Sequence, residues 1–191
     1  FRNNGVYHFQ PNDVTFDIDT INKHNKANID LAIGDYSYQE QDSTRTTPFK
    51  IYKISDVHIY TDYSPTNTNI ITDSTSYNNS HLYSHNKLKY KPRAITDAVF
   101  ITKGGLFADY KTVLTSRYLN NLKIFNYPAI QYEADKRDAT AQSLIAKIYL
   151  TPRKKFSFGS SFDFTHSNIQ DFGIGGSVSL SIRNIFNGAE T

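Results

Sequence analysis

The sequence contains no cysteine. Disulfides, thiol nucleophiles and cysteine-held metal centres are therefore excluded. Methionine is also absent and the chain begins at Phe1, which reads as a processed or excised piece whose targeting signal lies upstream. No stretch approaches the roughly 18 consecutive apolar residues that a membrane helix requires. Charge of one sign is scarce too: 21 basic and 18 acidic residues leave a net charge of +3. The strongest basic run, Pro152-Arg153-Lys154-Lys155, is short, so no electrostatic case for nucleic acid arises.

Aromatics are plentiful instead, with 14 Tyr and 13 Phe. Rings pack well on a pleated, half-buried surface and so favour strands. The 191 residues have room for one generous domain or two small ones. Phe1-Arg2-Asn3-Asn4-Gly5 reads as a helix end closed by glycine. Val14 to Asp19 and Asn28 to Ile33 alternate apolar and polar across the polar turn Asn22-Lys23-His24-Asn25, the period of strands with one buried face. Residues 36–48 are polar and read as a linker. Ile51 to Tyr60 reads as a strand with Ile51, Lys53, Ser55, Val57 and Ile59 on one side, and residues 62–86 as a long Asn/Tyr-rich insertion.

Two helices are expected next. Pro92 to Ile101 opens on a proline suited to a first turn. Asp109 to Phe125 repeats Val113, Leu114, Tyr118, Leu122 and Phe125 at three- and four-residue steps, and this face is expected against a sheet. Ile130-Gln131-Tyr132-Glu133-Ala134-Asp135 and Leu144 to Leu150 then alternate as strands. The first of these matches Val14 to Asp19 in residue type at nearly every position. Such a repeat points to an array of modules. The domain boundaries expected are 1–35, the C-terminal part of one module; 36–48, a linker; 49–153, a complete module; and 154–191.

The last region changes character. Phe156, Phe158, Phe162 and Phe164 alternate with Ser, Gly, Asp and Thr, and Phe172, Ile174, Val178, Leu180 and Ile182 alternate with Gly and Ser. Each run has the length of a tilted strand crossing a bilayer. The apolar face fits either a lipid-facing barrel wall or the core of a soluble sandwich, and the pattern alone leaves both open.

No catalytic constellation stands out. His81 and His85 are four apart but lack a third ligand, so no metal is expected. Asp17, Asp19 and Asp30 read as exposed strand acids, and Gly173-Ile174-Gly175-Gly176-Ser177 sits inside a strand pattern rather than before a helix. The expectation is a protein that is not an enzyme and uses no cofactor.

Lys91-Pro92-Arg93, Thr102-Lys103-Gly104-Gly105-Leu106-Phe107, Asn120 to Phe125, the exit Ile148-Tyr149-Leu150-Thr151-Pro152 and the closing Ile182 to Glu190 together resemble the BamA/TamA family of outer-membrane assembly proteins, with the TamA side preferred. The resemblance implies an α+β fold: POTRA modules of β-α-α-β-β order, then the first two antiparallel strands of a transmembrane β-barrel. It implies a place in the bacterial outer membrane with the modules in the periplasm. It also implies insertion of unfolded outer-membrane protein clients, helped by periplasmic or lipoprotein accessory subunits and by outer-membrane lipid. The docking edge on this reading is Ile130, Gln131, Tyr132, Glu133, Ala134 and Asp135, and Phe156 to His166 forms a seam for client strands. Phe156, Phe158, Phe162, Phe164, Ile174, Val178 and Leu180 face lipid. Two rivals stand beside it: a soluble carbohydrate-binding β-module with stacking tyrosines, and the barrel transporter of a larger secreted hydrolase.

Overall fold

Alternating residues dominate this chain, and they produce strands throughout. The computed structural model describes residues 1–21, 26–66, 70–167 and 170–188; the expected turn Asn22 to Asn25 and the terminal Ala189 and Glu190 lie outside them. Strands β1 (Val14–Asp19) and β2 (Asn28–Ile33) form an isolated antiparallel pair, and β3 (Tyr36–Glu40) and β4 (Ser43–Thr47) a second. Then follow β5 (Lys53–Tyr60), β6 (Asp73–Tyr77), β7 (Ser80–Ser84), α1 (Pro92–Thr96), α2 (Asp109–Asn121), β8 (Phe125–Ala134) and β9 (Ser143–Pro152). Their strands make one five-stranded sheet in the order β6-β7-β5-β9-β8. The antiparallel hairpin of β10 (Phe156–Ser167) and β11 (Gln170–Ile182) completes the fold.

This corrects the expected fold class. Among the described residues 47% are strand and 14% helix, with one helix of seven residues or more, and no clear β-α-α-β-β pattern emerges. Residues 49–153 run β-β-β-α-α-β-β, and α1 is only five residues long. Two stretches read as irregular are hairpins. Residues 36–48 hold β3 and β4, with Tyr36 stacked on His8 at 4.2 Å between ring centres. Residues 62–86 hold β6 and β7, joined by Asn78 and Asn79, both at positive φ (51° and 59°). Two such residues in succession set the twist of a tight hairpin turn, and asparagine tolerates that conformation.

The core lies between the sheet and the helices. Val57, Ile59, Leu82, Leu119, Ile148 and Leu150 are fully buried there. The side of β5 expected to carry Ile51, Lys53, Ser55, Val57 and Ile59 is kept only in its second half. Val57 and Ile59 point in, but Ile51 is exposed and Ile54 takes the inward position. A register shift between Ile54 and Asp56 explains this, because one extra residue flips the side-chain alternation. The α2 face differs in part: Leu122 and Phe125 pack in the core as expected and are joined there by Thr115 and Leu119, whereas Val113 and Tyr118 are exposed. Tyr118 instead packs on Phe100, ring centres 4.8 Å apart. The inward stripe is masked in sequence because it runs through threonines: Thr115 Oγ1 accepts from the Phe100 N–H, and Thr112 shares a hydrogen bond with the Tyr132 hydroxyl.

The first residues pack on this module rather than standing apart with β1 and β2. Arg2 grips Asp109 with Nε and Nη2, both at 2.8 Å, while Asn3 accepts from the Tyr110 N–H in the first turn of α2. Gly5, at φ 95°, accepts a hydrogen bond from the Tyr52 N–H, and a Cβ there would meet the Ile51 side chain at 2.6 Å.

Candidate functional site

Two surfaces carry the residues singled out from sequence. On the β10–β11 hairpin, Phe156 pairs with Ile182, Phe158 with Leu180 and Phe164 with Ile174. Directly opposed residues of an antiparallel pair share a face, so the apolar positions of both strands lie together. Phe156, Phe158, Phe162, Phe164, Ile174, Val178 and Leu180 are all 61–74% exposed. Phe162 lies over Gly176, whose added Cβ would sit 3.5 Å from the ring.

The reverse face is small and polar. Ser161 and Ser177 hydroxyls meet at 2.8 Å, and Ser179 Oγ reaches the Gly159 carbonyl at 3.4 Å. A Cβ at Gly159 would approach Ser179 Oγ to 2.8 Å. Hydroxyl and glycine therefore interlock across the strands. Phe172 and His166 lie on strands, but their side chains are outside the described residues.

The second surface is the β8 edge. Among the described residues β8 is outermost in the sheet and pairs with β9 alone. An outer strand presents unpaired backbone N–H and C=O groups that another strand can use. Near its start, Tyr127 at φ 37°, Pro128 and a register shift between Asn126 and Ala129 interrupt regular pairing. From Ala129 to Ala134 the register is even. Ile130 and Tyr132 turn toward the core, while Gln131, Glu133 and Ala134 are exposed. Burial pushes the Tyr132 hydroxyl up to about 12. Asp135 lies beyond the strand, where Arg137 donates to both carboxylate oxygens at 2.8 Å and holds its pKa well below the usual range. Glu133 pairs with Lys147 on β9, which lowers the acid and raises the base.

Beside the β8 edge lies a cleft of about 490 Å³ walled by Tyr7, Tyr36, Tyr38, Tyr52 and Tyr132. It was not visible in sequence because Tyr132 comes from a segment distant in the chain from the other four rings. On the helix-free face of the sheet, Tyr60 stacks on Tyr83 and Tyr149 at 5.3 and 5.0 Å. Asp56 receives Lys103 Nζ at 2.9 Å and Arg137 Nη2 at 3.1 Å. Burial pushes this carboxyl up, but the two cations more than offset it and leave it below its ordinary value.

His81 and His85 do not converge. His81 approaches Asp56 and His85 approaches Asp62, at 3.5 and 3.2 Å. Among the described residues no group of three or more His, Cys, Asp or Glu forms a metal cage. Asp17 and Asp30 are opposed on the exposed β1–β2 pair, and residues 173–177 run within β11.

No family model matches the sequence, and no curated protein does. Among solved structures, the chain is similar to the crystal structure of BamA from Haemophilus ducreyi lacking POTRA domains 1-3. The TM-score is 0.49 with 8% identity, over 96% of this chain and 26% of that one. The chain thus spans about a quarter of the neighbour's length. Among the described residues no helix is long and apolar enough to cross a membrane.

Proposed function

We propose that this chain belongs to an outer-membrane β-barrel protein that assembles other outer-membrane proteins. The observation that carries the reading is the two-faced hairpin. Its seven large apolar side chains are exposed together, over strands of 12 and 13 residues, and the reverse face is small and polar, with glycine and serine beside Asp163 and Thr165. In water such a face costs about 25 cal/mol for each Å² left uncovered; in a bilayer it is the exterior that a barrel wall needs.

The module built on the five-stranded sheet then stands in the periplasm at the foot of the wall. Its β8 edge receives an extended segment of a client or accessory subunit through main-chain hydrogen bonds, and the tyrosine-lined cleft beside it takes a side chain of that segment. The open edge of β10 serves as the seam for client strands. No step in this scheme makes or breaks a covalent bond, and none uses a cofactor.

The test is site-specific photocrosslinking in the bacterial envelope. A crosslinker at Gln131, on the outer strand, is expected to capture unfolded barrel proteins during their synthesis. One at Ile145, on the interior strand β9, is expected to capture none. Equal yields at the two positions would remove the edge from the scheme.

A further inference from the structure

Where β9 passes into β10, a cleft of about 440 Å³ opens between the module and the hairpin. Four cations line it, Lys89, Arg153, Lys155 and Arg183, against one acid, Asp62. That acid is engaged by its own neighbours: Ser84 Oγ, the His85 N–H and the Asn86 N–H donate to it at 2.9, 2.8 and 3.1 Å. The arginines are held in place. Arg153 Nε donates to the Phe125 carbonyl at 2.9 Å, and Arg183 Nη1 donates to the Lys154 carbonyl and Ser157 Oγ at 3.2 and 3.1 Å. Both lysine side chains lie on exposed residues.

The position of the cleft is as informative as its charge. Lys155 immediately precedes Phe156 and Arg183 immediately follows Ile182, and those two apolar residues are cross-strand partners. The cations therefore stand at the level where the apolar face begins. Just beyond, Ile185 and Phe186 are 50% and 75% exposed. The wall is clamped from both sides: Asn184 Nδ2 donates to the Lys89 carbonyl at 2.9 Å, and the Lys91 N–H donates to the Asn187 carbonyl at 2.7 Å. Basic groups beside exposed apolar residues, at the end of a bilayer-length strand, form the composition that meets lipid headgroups.

We infer that this cleft binds the phosphate headgroup of an anionic phospholipid, an inference that rests on the lipid-facing reading of the hairpin. Fixed guanidinium groups match phosphate oxygens in geometry, and the lysines add compact charges on flexible stems. A choline headgroup carries its own cation beside the phosphate and is repelled by the four on the wall. The cleft would hold the module against the membrane surface and set the height of the hairpin in the bilayer.

Flotation of the 191-residue chain with vesicles tests this. One set is phosphatidylcholine alone, and the other contains phosphatidylglycerol in addition. The expected result is binding to both through the hairpin, and tighter binding to the anionic set. Lys89→Gln with Lys155→Gln should weaken the anionic binding by roughly fivefold per lysine and leave the neutral binding unchanged. Lys53→Gln with Lys136→Gln, exposed lysines outside the cleft, should keep the anionic advantage. Equal wild-type binding to the two sets overturns the cleft while leaving the hairpin reading intact. An equal loss in the control pair also overturns it, by showing general charge attraction. Binding to neither set overturns both readings. If titrated inorganic phosphate binds as tightly as the anionic vesicles and abolishes their advantage, the site takes free phosphate and the lipid assignment fails.

Discussion

The β8–β9 and β10–β11 hairpins obey the same alternation and meet opposite fates. In β9, Leu144, Ala146, Ile148 and Leu150 are 0–2% exposed beneath the helices. In β11, Ile174, Val178 and Leu180 are 67–72% exposed. Period two creates an apolar face in both, but only the first is met by an amphipathic helix. The reverse faces differ as well. β9 turns Lys147 and Tyr149 outward beside Glu133 and Tyr60, the chemistry of a solvated sheet. β11 turns out glycine and serine, the chemistry of a close-packed polar lining. An apolar face thus specifies burial, while its reverse face and its neighbours in the chain decide what buries it.

The two hairpins should differ most in the core. Ile148→Ala should destabilise the module by about 2–5 kcal/mol, as truncation of a fully buried aliphatic does. Val178→Ala should leave denaturant-induced unfolding of the same module within about 0.5 kcal/mol of wild type. Comparable losses at both positions would mean that the hairpin face is covered in solution. Leu119→Ala should likewise cost more than Tyr118→Ala, since only Leu119 is fully buried.

In vesicles the order should reverse. Phe162→Arg should impair insertion by about 2–4 kcal/mol if position 162 lies near the bilayer midplane, with Ser161→Arg much milder. Folding yield measured against lipid thickness reads this difference directly.

A smaller effect concerns acid. Hydrogen bonds from Arg2 hold Asp109 below its ordinary value. A depressed carboxylate adds stability above its unfolded pKa of about 3.9, and that contribution is lost as pH falls through the folded value. The melting temperature of the module should therefore drop below about pH 4, and Asp109→Asn should flatten the drop while lowering the neutral-pH value. An unchanged acid profile in that variant would remove the Arg2 contact as a tie between the first residues and α2.

Much of this architecture was legible from residue patterns. Val14 to Asp19, Asn28 to Ile33, Ile130 to Ala134 and both terminal runs form strands where alternation placed them. The hidden parts have physical causes. β6 is Asp73-Ser74-Thr75-Ser76-Tyr77, a strand with no apolar alternation, and its clue was the Asn78-Asn79 turn. The inward stripe of α2 passes through Thr112 and Thr115, which count as polar until their hydroxyls are seen hydrogen-bonded. A single extra residue in β5 reversed its faces. The cationic cleft unites Lys89, Arg153 and Arg183 from distant segments. Its one local sign was the placing of Lys155 and Arg183 at the very ends of the two apolar runs.

The proposed function places the exposed hairpin face against lipid. Fluorescent probes at positions 162 and 161, in the chain reconstituted with lipids bearing a quencher on the acyl chain, test it most directly. Strong quenching is expected at 162 and little at 161. Equal quenching at both positions, or none at either, would contradict it and assign the face to a water-soluble core.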